Sequence, residues 1–465
     1  MKKFLIFSLA FSSVLFAFSK NPIEIFTNNA NLKQANISIL VQDAKTDKTL
    51  FQHRADKVAT PASTMKLVTT ATALEIFGAD FRFKTLLAYD GQISADSVLT
   101  GNLYITGSGD PTLGSSKIGD ANFFEDWVKA LRTAGIKNIK GKIVAEENIF
   151  DRQAANPQWT WQDMGNAYAP GIHSISYMDN TLRVFFETKA VGSTPTILRT
   201  EPQVDGMQFY NYLKATNVST DKGYFYGEPF SLRRTIYGEI PANRAEFSVK
   251  TDMPHPANLL VKHFTEKLQK NGFSVKNDSI PASNKKLIYT HLSPPLSEII
   301  AETNKKSNNH YAECLFRLIG TQAGTPATIE SSLKIILNYW RTRNLPVSQL
   351  FQNDGSGLSP NNAVSAEFFV ALLNYMRTKS KYSTEFYQSL AVSGESGTLE
   401  PMLRKTVLKG KVHAKSGTLT SVKSYAGYVD YKDKSLIFCV IVNNFHGSSY
   451  DVLALVEEFL LNISE

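Results

Sequence analysis

The sequence predicts an α+β fold in which a mixed helix and strand unit, formed by the two ends of the chain, is interrupted by a large β-rich insertion. Helical and strand patterns are interspersed near both termini, whereas short strand patterns separated by Gly and Asp turns dominate the middle. The chain has 465 residues, more than one hydrophobic core normally supports. Two or three domains are therefore expected.

The first 19 residues are predicted to be a cleavable signal peptide. Lys2 and Lys3 precede an apolar run over residues 4–18, and Ala17-Phe18-Ser19 offers small residues at the two positions that a signal peptidase reads. The run is too short and too early for a convincing membrane span. Export to the periplasm is therefore expected, with at most a loose association with membrane or wall; an uncleaved N-terminal anchor is the alternative.

The composition limits the kinds of ligand and partner that the protein is expected to bind. The chain carries 50 Lys and Arg against 42 Asp and Glu, a mild basic excess that suits an acidic polymer such as cell wall without singling one out. No His or Cys cluster has metal-ligand spacing and no aromatic-basic pattern of nucleic-acid readers occurs, so no metal, cofactor or nucleic acid is predicted. Cys314 and Cys439 lie in apolar segments, which favours two buried thiols over a disulfide.

A hairpin and a capped helix are predicted in the N-terminal segment. Two apolar strands, residues 36–41 and 49–53, flank a polar turn. Thr60 suits an N-cap, Pro61 suits the first helical position, and good helix formers continue until Gly78 ends the helix.

The middle of the chain is predicted to hold two inserted domains, one comprising residues 83–180 and 246–285 and a second, β-rich one comprising residues 181–245. The segment from 183 to 251 reads as mostly β. The other predicted elements are strands at 83–89, 97–105 and 142–146 and helices at 123–134, 206–216 and 256–272.

Residues 20–82 and 286–465 are predicted to form the remaining, mixed domain. Its C-terminal part shows helical patterns followed by a hairpin and a closing amphipathic helix. The predicted helices are 297–306, 309–320, 326–343, 365–379 and one from 448, and the predicted strands are 411–414, 422–431 and 435–444.

Three short motifs follow one another along the chain: Ser-x-x-Lys from Ser63, Ser-x-Asn from Ser307 and Lys-Ser-Gly from Lys415. Together they match the three-part site of serine acyl-transfer enzymes that react with penicillin. Each motif alone is common, since Ser-x-x-Lys also begins at Ser219 and Ser331. The set is informative because each motif lies in a local context that suits the chemistry.

Ser63 is the candidate nucleophile. As the third residue of the helix predicted after Thr60, its hydroxyl would lie among unpaired backbone N–H groups at the positive end of the helix dipole. Lys66 is one turn further along the same face. Its amine could remove the hydroxyl proton if burial or another cation lowers its pKa. An ordinary helix start with an exposed lysine is the alternative.

Ser307 and Asn309 lie at a predicted break between two helices, which directs side chains into a cleft. Ser307 could relay a proton to a leaving nitrogen, and Asn309 could hold a substrate amide and orient Lys66. A polar turn between helices is the alternative for this motif.

Lys415 follows a short strand-like run and would supply a second cation that attracts a carboxylate. Ser416 and Thr418 could hydrogen-bond that carboxylate. Gly417 has no Cβ, so a substrate backbone could approach the strand closely. The alternative is a turn at an edge strand.

With these motifs the chain resembles the D-alanyl-D-alanine carboxypeptidase/endopeptidases of the low-molecular-mass class C penicillin-binding proteins, peptidase family S13. The long insertion between Ser63 and Ser307 is itself a mark of that family. Further segments share its pattern over nearly the whole mature chain: Gly109–Leu113, Trp159–Met164, Ser293–Ser297, Asp354–Ser359 and Gly394–Leu399.

The resemblance implies a β-lactamase/transpeptidase-like domain, with a five-stranded antiparallel sheet flanked by helices and split by the insertion. It also implies roles for the motif residues. These are acylation of Ser63, base catalysis by Lys66, proton relay and positioning by Ser307 and Asn309, carboxylate binding by Lys415, Ser416 and Thr418, and an oxyanion hole formed by the backbone N–H groups of Ser63 and Thr418.

The substrates that the resemblance implies are peptidoglycan stem peptides ending in D-alanine, or their cross-bridges, with β-lactams as covalent inhibitors. The chain departs from the family pattern at three positions in the outer pocket. Pro360 follows Ser359, Thr420 replaces a glutamine, and Glu146 replaces an inserted-domain aspartate. Glu146 and Thr420 are therefore candidate substrate-binding residues that bear on which peptide is bound.

Rival functions remain at this point. A β-lactamase or an esterase of the same fold would share the acylation site, but no Glu-x-x-Asn deacylation motif is evident and the large insertion argues against a β-lactamase. A non-catalytic wall-binding protein would need no intact nucleophile, whereas this chain keeps all three motifs.

Overall fold

The structure is a computed structural model that describes residues 21–228 and 230–465. The predicted signal peptide, residues 1–19, lies outside the described residues. Within the described ranges, no helix combines the length and apolar character that crossing a membrane requires.

Most predicted helices are confirmed to within a few residues, because their caps and apolar periodicity are encoded locally. The helix expected over residues 206–216 is wrong: Phe209 and Leu213 face inward while Tyr210 and Tyr212 are exposed, the period-two alternation of strands. In the described part of the chain the α-helices are α1 (Pro22–Thr27), α2 (Lys66–Phe77), α3 (Phe123–Thr133), α4 (Pro256–Lys270), α5 (Leu296–Lys305), α6 (Asn309–Gly320), α7 (Ile329–Arg341), α8 (Ala366–Thr378), α9 (Ser383–Gln388) and α10 (Ser449–Ser464).

Strands are distributed over the whole described chain. They are β1 (Asn36–Asp43), β2 (Thr49–His53), β3 (Val58–Ala59), β4 (Lys84–Tyr89), β5 (Gln92–Ile93), β6 (Val98–Thr100), β7 (Leu103–Thr106), β8 (Asn138–Ile139), β9 (Ile143–Glu146), β10 (Thr181–Thr188), β11 (Thr196–Glu201), β12 (Gln208–Asn211), β13 (Lys214–Thr216), β14 (Lys222–Tyr226), β15 (Arg233–Pro241), β16 (Arg244–Asp252), β17 (Ser274–Val275), β18 (Lys286–Leu292), β19 (Leu350–Phe351), β20 (Ala363–Ser365), β21 (Ala391–Val392), β22 (Val412–Leu419), β23 (Val422–Tyr431) and β24 (Lys434–Asn443).

A central antiparallel sheet joins the two ends of the chain in the order β2-β1-β24-β23-β22-β21. It contains the five strands that the resemblance implied, plus a two-residue strand, β21, at one edge. β24 is buried along nearly its whole length, and its side chains alternate between two cores. Ile437, Cys439 and Ile441 pack with α2 and α5 to α8, whereas Phe438 and Val440 pack with α1 and α10.

The two cysteines lie in different cores: Cys439 packs with the helices on one side of β24, and Cys314 packs with Phe150, Ile172 and Ala327. Cys314 on α6 and Cys439 on β24 are both buried and free. The prediction of two buried thiols in place of a disulfide is therefore confirmed.

The insertion between α2 and α5 contains four small sheets that contribute to one hydrophobic core. Two predicted boundaries are wrong. β18 pairs antiparallel with β4, so residues 286–292 belong with the insertion instead of the mixed domain. β16 pairs with β10 and crosses the boundary placed between residues 245 and 246. Both errors arise because strand pairing between distant segments is not visible in local composition.

Candidate active site

Ser63 lies in a short 3-10 turn, Ala62–Met65, that leads directly into α2. The predicted cap is wrong: the backbone N–H of Thr60 donates to Asn443 Oδ1 at 2.8 Å, and no side chain caps the turn. The local sequence suits a capped helix, but the contact with β24 holds Thr60 outside it. Ser63 nevertheless keeps its place at the positive end of the helix dipole.

Lys66 is fully buried at the first position of α2, and its amine contacts three oxygen atoms. Nζ lies 3.0 Å from Ser63 Oγ, 2.6 Å from Asn309 Oδ1 and 2.6 Å from the carbonyl oxygen of Ser356. The Ser-x-x-Lys motif precedes the insertion in the sequence and the Ser-x-Asn motif follows it. The structure thus brings the two motifs into contact.

Burial lowers the pKa of Lys66 to about 7, against the opposing effect of the Asp354 and Glu313 carboxyl groups. Burial was one of the two causes expected from the sequence. Glu313 lies one turn after Asn309 on α6 and accepts a hydrogen bond from the backbone N–H of Ser356 at 2.7 Å, and burial raises its own pKa. A substantial neutral fraction of Lys66 is therefore available near pH 7.

Asn309 is oriented by a residue from the insertion. Its Nδ2 donates to the carbonyl oxygen of Tyr168 at 2.9 Å, so that Oδ1 faces Lys66. Asn309 begins α6, which follows α5 after a short break as predicted. Ser307 within this break has φ +58°, a left-handed conformation that is uncommon for residues other than glycine.

Lys415 on β22 is fully buried and reaches Ser307. Its Nζ donates to Ser307 Oγ at 3.0 Å and to the carbonyl oxygen of Ser416 at 2.6 Å. Burial lowers the pKa of Lys415 well below its ordinary value, and the charges of Lys66 and Lys423 lower it further. All three motifs therefore meet at one place.

Gly417 has a different reason to lack a side chain than the one expected from the sequence. A Cβ at this position would lie 2.3 Å from Ser424 Oγ, 2.5 Å from the carbonyl oxygen of Pro61 and 3.0 Å from the backbone nitrogen of Ser63. The space is filled by the turn that carries Ser63, not left open for a substrate. Gly417 thus allows β22 and the Ser63 turn to approach closely.

A cleft of about 540 Å³ opens in front of Ser63. Ser307, Asn309, Thr418 and Thr420 line it, and their roles in catalysis and binding stay predictions. Ser416 is not among the lining residues; its hydroxyl instead donates to Thr398 Oγ1 at 2.7 Å.

Glu146 is not brought to this cleft. It ends β9 in the insertion, forms an ion pair with Lys285 and accepts a hydrogen bond from Thr106 Oγ1 at 2.7 Å. It lines a separate cavity with Glu147 and neighbouring residues. The role of Glu146 in substrate binding therefore stays a prediction, and its side chain is placed at this second cavity.

The structure shows a cleft wall that the sequence reasoning missed. Thr160, Asp163 and Tyr168 of the insertion line the cleft, and Asp163 accepts hydrogen bonds from the hydroxyl groups of both other residues, at 2.6 and 3.2 Å. Part of this wall lies in the Trp-Thr-Trp-Gln-Asp-Met segment, which the sequence indicated only as a pattern shared with the family.

Trp159 at the start of that wall connects the insertion to the loop beside Lys66. Its Nε1 donates to Asp354 Oδ2 at 3.0 Å, and Asp354 also accepts the backbone N–H groups of Gly357 and Ser359. The same loop presents the Ser356 carbonyl to Lys66. The insertion therefore supports the position of Lys66 indirectly, through Asp354 and the loop that carries Ser356.

The antiparallel sheet with helices on both faces, and a serine hydroxyl beside a buried lysine at the start of a core helix, define the class of penicillin-reactive serine acyl-transfer proteins. Within that class, the chain belongs to the D-Ala-D-Ala carboxypeptidase 3 (S13) family, whose model matches residues 20–453. The predicted family is thereby confirmed.

Individual relatives agree with this assignment. The chain is 28% identical over 464 residues to D-alanyl-D-alanine carboxypeptidase of Actinomadura sp. (strain R39). The aligned region covers 96% of this chain and 84% of that protein. Penicillin binding protein 4 (dacB) from Haemophilus influenzae has the same fold, with a TM-score of 0.81 at 20% identity over 95% of this chain and 98% of that chain. The same Haemophilus protein complexed with a β-lactam gives a TM-score of 0.76 at 20% identity with the same coverage. The predicted α+β fold class is confirmed.

Proposed function

We propose that this S13-family carboxypeptidase removes D-alanine from peptidoglycan stem peptides through an acyl-enzyme on Ser63, with Lys66 as the general base. The assignment of Lys66 as the base rests on the hydrogen-bond partners of its amine. The Asn309 Oδ1 and Ser356 carbonyl oxygens near Lys66 Nζ can only accept hydrogen bonds. A neutral amine has two N–H groups for these two acceptors, so its lone pair faces Ser63 Oγ at 3.0 Å.

Acylation follows from this arrangement. Lys66 takes the hydroxyl proton as Ser63 Oγ attacks the carbonyl carbon of the terminal peptide bond. The backbone N–H groups of Ser63 and Thr418 are proposed to stabilise the oxyanion. The close approach of Gly417 to the Ser63 backbone nitrogen supports this, because it places the two N–H groups on adjoining segments.

Departure of D-alanine requires a proton on its nitrogen. Ser307 Oγ accepts a hydrogen bond from Lys415 Nζ, which leaves the hydroxyl proton of Ser307 free to point into the cleft. Ser307 is proposed to donate this proton to the leaving nitrogen while Lys415 replaces it.

The terminal carboxylate of the substrate is proposed to bind at Thr418, supported by the positive charges of Lys415 and Lys423. Lys423 Nζ donates to Thr418 Oγ1 at 2.9 Å, which directs the hydroxyl hydrogen of Thr418 toward the cleft. Thr420 lies next along the wall and is proposed to contact the substrate beyond the carboxylate.

A β-lactam would acylate Ser63 in the same way, and a cross-bridge with a D-amino acid donor would be cut by the same steps. A β-lactamase would need an additional base to activate water for deacylation. Asp163, the carboxylate that lines the cleft within the described residues, already accepts hydrogen bonds from Thr160 and Tyr168. A slowly hydrolysed penicillin adduct is therefore expected.

The first 19 residues are proposed to direct export to the periplasm. The pattern of Lys2, Lys3 and the following apolar run supports this assignment. N-terminal sequencing of the protein isolated from cells should find a chain that begins near residue 20; a chain that keeps Met1 would indicate an uncleaved anchor.

The assignment of Ser63 is tested with Ser63→Ala. This variant should lose both covalent labelling by fluorescent penicillin and D-alanine release from a soluble pentapeptide, while its melting temperature stays near that of the parent. Ser219→Ala is the matched control, because Ser219 begins another Ser-x-x-Lys motif but is exposed in a loop. Labelling that persists in Ser63→Ala would overturn the assignment, and rapid turnover of penicillin by the parent would favour a β-lactamase.

A further inference from the structure

A row of neighbouring aromatic rings, four exposed and one half-buried, extends across the insertion. We call it the aromatic row; it comprises Tyr212, Tyr237, Tyr224, Tyr226 and Trp161. Neighbouring ring centroids are 5.2 Å apart between Tyr212 and Tyr237, 5.9 Å between Tyr237 and Tyr226, and 6.2 Å between Tyr226 and Trp161. Tyr224 packs beside Tyr226 at 5.4 Å and Tyr237 at 6.2 Å.

These rings share one face because of strand register. β14 pairs antiparallel with β15, which sets Tyr224 opposite Tyr237 and Phe225 opposite Ile236. Phe225 and Ile236 face the core and are fully buried, so the alternate residues must face solvent.

The outward rings remain substantially exposed even though they pack on one another. The exposed fraction is 57% for Trp161, 55% for Tyr212, 41% for Tyr224 and 38% for Tyr237. Across residues 21–228 and 230–465, the phenol hydroxyls of the row make no hydrogen bond to the protein, unlike that of Tyr168, which contacts Asp163. A contiguous exposed aromatic surface of this kind marks an interaction site.

The aromatic row is continuous with the wall of the active-site cleft. Trp161 lies between Thr160 and Gln162, which both line the cleft. The segment that follows is fixed to β14 by reciprocal hydrogen bonds of 3.0 Å between the side chain of Asn166 and the backbone of Phe225. The row and the cleft wall are thus joined by direct hydrogen bonds.

We propose that the aromatic row binds the glycan strand of peptidoglycan while a stem peptide of that strand occupies the cleft. The proposal rests on the proposed function, because a stem peptide is covalently attached to its glycan. The sugar backbone must therefore lie within one peptide length of Ser63, and the row begins at the rim of the same cleft.

The chemistry of the row suits a polysaccharide. A pyranose ring presents C–H groups that pack on aromatic rings, and its hydroxyl and acetamido groups can hydrogen-bond the phenol groups of Tyr212, Tyr224 and Tyr237. Tyrosine offers both an apolar ring and a polar end. The row members carry no charge, which fits an amino-sugar backbone better than a strongly charged polymer.

Binding is tested with glycan strands from which all stem peptides have been removed by an amidase. The parent should bind these strands in a titration at constant protein concentration. Tyr212→Ala/Tyr237→Ala and, separately, Trp161→Ala should each bind at least about tenfold more weakly, as loss of a stacking ring does in other polymer sites. Tyr450→Ala is the matched control, because Tyr450 is 82% exposed on α10, outside the row.

Catalysis provides a second readout. The ratio of D-alanine release from intact peptidoglycan to release from a soluble pentapeptide should fall at least about fivefold in Tyr212→Ala/Tyr237→Ala, through a higher KM on the intact polymer. The ratio should stay at the parent value in Tyr450→Ala. Tyr237→Phe keeps the ring and should retain most of the binding if stacking dominates.

Three results would overturn the proposal: no binding of peptide-free glycan by the parent, equal binding by the row variants, or a parent dimer that the row variants abolish. The last result would identify the row as a protein interface. Failure of the proposed function gives a different signature, since it would remove penicillin labelling and D-alanine release while leaving glycan binding measurable.

Discussion

The protonation of Lys66 gives the sharpest prediction, because the amine must be neutral to act as a base. Burial lowers its pKa to about 7. Lowering the pH from 7 to 5 should therefore reduce the neutral fraction from about one half to about 1%, and the rate of acylation about fiftyfold. The sign is fixed by the role: activity is present above the pKa and is lost as the pH falls through it.

The assay is the second-order rate of labelling by fluorescent penicillin, measured by stopped flow between pH 5 and 9 at constant ionic strength. The logarithm of the rate should rise by about one for each pH unit below the midpoint and level off above it. A flat profile down to pH 5, or a midpoint above pH 9, would refute the assignment of a neutral Lys66 as base.

The Lys415→Arg variant shows which amine is titrated. Burial and the charges of Lys66 and Lys423 also lower the pKa of Lys415, so it too could produce an acid limb. Arginine stays charged over this range. The fall of the labelling rate at acid pH should persist in Lys415→Arg, at a lower overall rate. If the fall disappears in this variant, the group whose protonation stops the reaction is Lys415.

Three further predictions follow from individual contacts. Lys66→Met should slow acylation at least about a thousandfold and lower the free energy of unfolding by about 1–3 kcal/mol, because Asn309 Oδ1 and the Ser356 carbonyl oxygen lose their buried donor; an unchanged free energy of unfolding would contradict this. Trp159→Phe removes the hydrogen bond to Asp354 and should lower the free energy of unfolding by about 2 kcal/mol in urea titrations, together with a slower acylation; an unchanged midpoint would show that this bond is dispensable. Gly417→Ala places a Cβ 2.5 Å from the Pro61 carbonyl oxygen and should cost about 1–3 kcal/mol of stability and at least about tenfold in labelling rate, which a parent-like rate would disprove.

The sequence determined the features that depend on local pattern. Helix periodicity and caps placed α3, α6 and α8 within about two residues. The order of the three motifs, around a long insertion, indicated the family and the candidate residues Ser63 and Lys66. Each of these signals lies within a short stretch of chain, so no knowledge of distant contacts was needed to read it.

The start of α2 shows where local signals fail. Thr60 and Pro61 form a favourable helix start by propensity, yet Asn443 of β24 binds the backbone of Thr60 and a 3-10 turn carries Ser63. A tertiary contact outweighed a local preference of about 1 kcal/mol.

Long-range pairing decided the rest of the candidate site. The orientation of Asn309 depends on the Tyr168 carbonyl, and the buried environment that lowers the pKa of Lys66 requires that α2, α6 and the Ser356 loop pack together. The pairing of β9 with β7 places Glu146 beside another cavity. These outcomes follow from contacts between residues far apart in the chain, and burial, which governs the lysine pKa, exists only once those contacts have formed.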